Sequence, residues 1–112
     1  MNDEKITTLL GDMCRSLNAL FGEKLNNLWL YGSYARGDFD AESDVDVMAL
    51  VDLPKEELAA YRRRVSDISS DLDLRYDVVL SIKLQDAETF QRFSNTLPFF
   101  KNVIKEGIRI VQ

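Results

Sequence analysis

Gly32-Ser33-Tyr34-Ala35-Arg36-Gly37-Asp38-Phe39-Asp40-Ala41-Glu42-Ser43-Asp44-Val45-Asp46 is the stretch on which the reading of this chain turns. Just upstream, Leu28-Trp29-Leu30-Tyr31 is a short apolar and aromatic run, expected to be a buried strand that delivers the chain to a tight turn at Gly32. Glycine at that point lets the backbone approach a phosphate closely. Ser33 adds a hydroxyl, and a short helix beginning there would aim its unpaired amides at the same group. Just downstream, Val45, Val47, Ala49 and Val51 alternate with Asp44, Asp46, Met48 and Leu50. Strand geometry then places Asp44 and Asp46 on one face at the strand's entrance. The run is apolar on both faces beyond that point, which predicts a central position in the sheet.

Two carboxylates held side by side repel one another unless a cation or a proton relieves them, and hard oxygen ligands suit Mg2+. The run from Arg75 to Ile82 alternates again and is expected to form a third strand. Tyr76, Val78, Leu80 and Ile82 would lie on one face, with Asp77, Val79 and Ser81 on the other. Asp77 would thereby join Asp44 and Asp46 as a third carboxylate, metal ligand and base toward an acceptor hydroxyl. Three carboxylates around two Mg2+ ions suit in-line displacement at the α-phosphate of a nucleoside triphosphate. Such chemistry is largely positioning and charge stabilisation, so the lack of histidine is no obstacle. Gly32, Ser33 and Arg36 are the candidate nucleotide-binding residues, with Arg36 open to two readings, phosphate contact or loop anchor. A Gly-Ser pair alone is a common turn, and Asp-x-Asp alone is often a strand end; the two together between apolar strands carry the reading.

Around this centre the apolar spacing predicts helices. Ile6, Leu9, Leu10, Met13, Leu17, Leu20 and Phe21 recur at helical steps, giving a helix over about residues 3–21, with Asn2 as candidate N-cap and Gly22 as its left-handed stop. Asp52 and Pro54 start another, continued by Leu58, Tyr61, Val65, Ile68 and Leu72. Arg62-Arg63-Arg64 reads as a solvated face offset by Asp67, Asp71 and Asp73, with docking or phosphate contact as the alternative. Asp86 can cap a short helix containing Phe90 and Phe93. Pro98 to Lys105 predicts a last helix, stopped by Gly107 before an edge strand from Ile108 to Val111. The expected fold class is α/β, a small mixed β-sheet packed with helices, in a single domain over residues 1–112.

Composition agrees with one small folded domain: 112 residues, 46% hydrophobic. The net charge of −5 argues against broad nonspecific binding to nucleic acid, which draws its affinity from Lys and Arg. Cys14 is the single cysteine and falls on the apolar stripe of the first helix, so it is expected to be a buried thiol in a reducing, cytoplasmic protein. No run approaches the length of a membrane span.

Gly32-Ser33, Ala35-Arg36-Gly37 and Ser43-Asp44-Val45-Asp46, with the later Arg75-Tyr76-Asp77-Val78-Val79, resemble the minimal nucleotidyltransferase family of the DNA polymerase β-like nucleotidyltransferase superfamily. The closing segment Phe99 to Ile108 is similar to that family's final helix and strand, while small Ala49 departs from its usual larger residue. The resemblance implies a Mg2+-dependent transferase that takes ATP as substrate. It also implies an antitoxin that attaches AMP to a tyrosine of a HEPN ribonuclease toxin. Two rivals stand beside it: a noncatalytic antitoxin that works by binding alone, and a transferase acting on an aminoglycoside-like small molecule and completed by a partner chain.

Overall fold

The computed structural model describes residues 3–40 and 44–110. Its elements run in the order α1 (Asp3–Phe21), β1 (Leu25–Tyr31), α2 (Ser33–Arg36), β2 (Val45–Val51), α3 (Lys55–Leu58), α4 (Arg62–Tyr76), β3 (Leu80–Asp86), α5 (Ala87–Phe93), α6 (Pro98–Glu106) and β4 (Ile108–Arg109). Short 3-10 turns follow α1 and join α3 to α4. The strands form one mixed sheet in the order β3-β2-β1-β4. β1 pairs antiparallel with β2 and β4, while β2 and β3 run parallel through the helical crossover.

The period-2 alternation of β2 sorts its side chains between two cores. Val45, Val47, Ala49 and Val51 face α1 and α4, where Leu9, Met13, Leu17 and Leu72 are fully buried. Met48 and Leu50 face α5 and α6, against Phe90, Phe100 and Val103. Burying a Leu, Val or Met completely contributes about 1.5–3 kcal/mol, so β2, buried almost throughout, is the fold's anchor. Cys14 belongs to the first core, and burial pushes its thiol pKa up.

Most of the expected elements are present. Gly22 has φ +57 directly after α1, and Asp86 caps α5 by accepting from the Thr89 backbone N–H at 2.9 Å. Gly107 ends α6 for a different reason from a left-handed turn: its φ is −74, and a Cβ there would collide with the Val103 carbonyl oxygen. The Asn2 cap, Ala41 to Ser43 and the end of the last strand at Val111 lie outside the described residues.

One expectation is corrected. The third strand does not begin at Arg75, because α4 continues through Tyr76 and Asp77 closes it in the left-handed conformation, φ +53 and ψ +55. Tyr76 follows Leu72 by four residues, so it extends the helical stripe. Its hydroxyl donates to the Asp12 carboxylate on α1, and Arg75 pairs with Asp71 one turn back at 3.1 Å. These contacts favour the helix over the strand that alternation suggested, and β3 starts at Leu80.

Candidate active site

β1 ends at Tyr31, and Gly32 then takes φ +76 and ψ −154, a conformation closed to residues with a Cβ. The expected short helix follows as α2. The N–H groups of Gly37 and Asp38 both donate to the Ser33 carbonyl, at 2.9 and 3.2 Å, and Gly37 closes the turn at φ +82. Beyond it Phe39 stacks flat on buried Tyr34, ring centroids 4.3 Å apart, which fixes the returning loop.

Antiparallel pairing sets Tyr31 opposite Asp46, and the parallel ladder sets Asp46 beside Ser81. Tyr31, Asp46 and Ser81 therefore form a row across three strands on the α5/α6 side of the sheet. A Cβ built on Gly32 would lie 2.5 Å from Asp46 Oδ2, so the turn and the carboxylate are in direct apposition. This close approach, rather than turn propensity alone, is what glycine supplies here.

The electrostatics follow from that packing. The Asp46 pKa is raised, first by burial, then by the negative charge of Asp44; the Arg36 guanidinium opposes the rise. Tyr31 is raised as well, by burial and then by Asp46, so its hydroxyl stays protonated beside the carboxylate. Arg36 donates from Nε to Asp38 at 3.2 Å and reaches Glu106, at the end of α6, at 3.7 Å. The loop-anchor reading of Arg36 thus finds a physical basis in these two pairs, and its charge is also felt at Asp46.

Of the expected site residues, the structure brings together Gly32, Ser33, Arg36, Asp44 and Asp46. Asp77 is not among them: it sits exposed at the end of α4, and among the described residues no three acidic side chains gather closely enough to hold a metal ion. The β3 neighbour of Asp46 is Ser81, followed on the same face by Lys83. Sequence reasoning overlooked an aromatic and basic rim. Phe99 of α6 meets Tyr31 edge-on at 5.5 Å and carries the Lys83 ammonium 4.6 Å from its ring centre. The signal available was that Tyr31 directly precedes Gly32 and that Lys83 follows Ser81 by one strand period.

Residues 13–111 match the family model described as the nucleotidyltransferase domain. The chain belongs to the nucleotidyltransferase family. Its relatives include two Methanocaldococcus jannaschii proteins provisionally named as protein adenylyltransferases. MJ0604 is 31% identical over 96% of both chains. MJ0141 is 36% identical over 69% of this chain and 76% of its own. Among solved structures, a toxin-antitoxin crystallised with AMP-PNP superposes with a TM-score of 0.56 at 21% identity, covering 97% of this nucleotidyltransferase and 72% of that chain. A provisionally named nucleotidyltransferase of Sulfolobus solfataricus gives 0.53 at 16% identity, over 97% and 87%. At such identities these structures speak to the fold, which they share with this nucleotidyltransferase.

Proposed function

We propose that this nucleotidyltransferase moves AMP from ATP to a hydroxyl on a partner protein, and that the partner is a HEPN ribonuclease toxin modified at a tyrosine. The observation that supports it most is the apposition of the Gly32 turn and the Asp44–Asp46 carboxylates, which gives triphosphate and metal adjoining places. The relatives' provisional names support a protein acceptor, and the toxin-antitoxin neighbours support a toxin partner.

Asp44 and Asp46 fit Mg2+: burial first, and then the charge of Asp44, raise the Asp46 pKa, and a divalent cation would relieve both. Phosphate-site Mg2+ needs only one or two carboxylates, the remaining ligands being water and the phosphates themselves. When bound, the ion supplies charge neutralisation at the phosphate oxygens. The chain's own residues do the positioning. Gly32 and Ser33 receive the phosphates, Arg36 adds positive charge, and Tyr31 donates from a protonated hydroxyl. In the reaction the acceptor oxygen bonds to the α-phosphorus, the bond from that phosphorus to the pyrophosphate oxygen breaks, and the acceptor's proton passes to solvent.

Among the described residues no third carboxylate joins Asp44 and Asp46, which favours a second reading, an antitoxin that neutralises by binding alone. Asp44→Asn separates the two. With purified partner, Mg2+ and α-labelled ATP, the wild type should label the partner. The variant should bind it equally but label it at least ~100-fold more slowly, the scale for losing a positioning group. Undiminished neutralisation by the variant would establish the binding-only reading, and label on a small molecule from cell extract would establish an antibiotic-type acceptor.

A further inference from the structure

β3 is an edge strand, and its outer side is open in a way that bears on the acceptor. The Val45 N–H donates to the Val79 carbonyl at 2.8 Å, which fixes the phase of the parallel ladder. The peptide groups of Ser81, Lys83 and Gln85 consequently point to β2, and those of Leu80, Ile82 and Leu84 point outward. The Leu80 N–H is taken by the Asp73 carboxylate at 2.7 Å. Ile82 and Leu84 have no such cover among the described residues. Natural proteins usually blunt an unpaired edge, because it is a template for another strand.

A groove of about 580 Å³ runs along this edge, walled on the far side by Arg62, Ser66 and Ser69 of α4. That volume lies within the usual range for ligand clefts. Arg62 lines it, and Lys83 borders it through its strand while its ammonium rests over Phe99 on the other face of the sheet. No acidic residue among the described ones lines it, although the chain as a whole carries −5. The groove therefore complements an acidic segment, and its hydroxyls and strand edge complement a polypeptide backbone rather than a compact small molecule.

Register ties the groove to the carboxylates. A strand added outside β3 would place one residue in line with Tyr31, Asp46 and Ser81, two strand spacings or about 10 Å from Asp46. Between them stands Ser81, small enough for a long side chain to lean across. We infer that the acceptor protein docks as an extended, acidic segment paired to the Ile82–Leu84 edge, with the residue beside Ser81 presenting its hydroxyl to the Asp44–Asp46 site. This inference rests on the transfer reaction proposed above and names how its acceptor is held.

The probe is a synthetic acidic peptide of alternating Glu and Val with one central Tyr, compared with a version N-methylated on the amides that would face β3. Two variants leave the carboxylates untouched. Ile82→Pro removes the outward N–H together with part of a half-buried side chain that packs on the core, so its binding is read beside its melting temperature. Ser66→Trp fills the groove from an exposed helical position without touching that core. Fluorescence anisotropy without nucleotide should show binding by the wild type and by Asp44→Asn alike. N-methylation or either variant should weaken it at least ~10-fold. Hydrogen exchange at the Ile82 and Leu84 amides should slow on binding. Failure of AMP transfer with binding intact would count against the reaction alone. Equal binding by wild type and both variants, no binding at all, or a wild-type dimer that Ile82→Pro dissolves would overturn the docking inference.

Discussion

Gly32→Ala is the sharpest perturbation of the site, because two separate penalties follow from one methyl group. The backbone at φ +76 and ψ −154 lies in a region almost reserved for glycine, and occupying it with alanine costs about 1–3 kcal/mol. The new Cβ would also stand 2.5 Å from Asp46 Oδ2, whereas ordinary contact begins at 3.4 Å, so the carboxylate must retreat by about 0.9 Å. A misplacement of that order costs roughly 10²-fold in rate where catalysis is positioning. Thermal melts should accordingly fall by about 5–15 °C, and AMP transfer should fall by about two orders of magnitude. A double-mutant cycle separates the penalties. In Asp46→Ala only the Asp46 Cβ remains, 3.5 Å from the added carbon, so Gly32→Ala in that background should cost the backbone strain alone. Identical costs of Gly32→Ala in the two backgrounds would refute the apposition of turn and carboxylate.

Other residues test the scaffold. Tyr76→Phe should destabilise by about 1–2 kcal/mol in urea melts, since it removes the donor to Asp12 that holds the last turn of α4 on α1. If β3 instead began at Arg75, the loss would be negligible. Asp86→Ala should cost about 0.5–2 kcal/mol as a lost cap. Burial raises the Asp86 pKa, but the hydrogen bonds from Thr89 and the charge of Lys55 outweigh it and hold the net value below 3.8. A depressed carboxyl stabilises the fold above its unfolded pKa. Hence the gap between wild type and Asp86→Ala should be full at neutral pH and should close as pH falls from about 4 through the folded value, which melts across that range would follow.

How much was legible in the sequence depended on which period dominated locally. The α1 stripe, the β2 alternation and the Gly-Ser turn each carried one unopposed signal, and each stands where the pattern put it. At Tyr76 two periods overlapped. The residue continues a four-step helical stripe from Leu72 and also begins an alternation shared with Val78, Leu80 and Ile82. The contact that decides between them, to Asp12 sixty-four residues away, is tertiary and invisible to a local window. The Asp77 misplacement follows directly from that. Lys83 and Phe99 were opaque for a related reason, since only the fold brings α6 over β3.

The geometry makes the site one-sided. Its proposed nucleotide half is built by β1, α2 and β2, with glycine, carboxylates and a guanidinium held by a stacked loop and an α6 contact. Its other half is β3, where the position beside Asp46 holds Ser81 and the next holds Lys83. An acid at either position would add a metal ligand but would also add a third negative charge to a pair already in mutual repulsion. A small hydroxyl and a cation instead leave Asp46 with less opposing charge and leave open space on the acceptor side. That distribution suits an enzyme whose acceptor arrives with its own wall. A substrate as large as a protein needs an approach lane more than a pocket, and the Ile82–Leu84 edge lies along that lane. Replacing Ser81 by Asp should therefore tighten Mg2+ binding in calorimetry while slowing transfer to the protein acceptor; a faster transfer would show that the site lacks a ligand rather than keeping a lane clear.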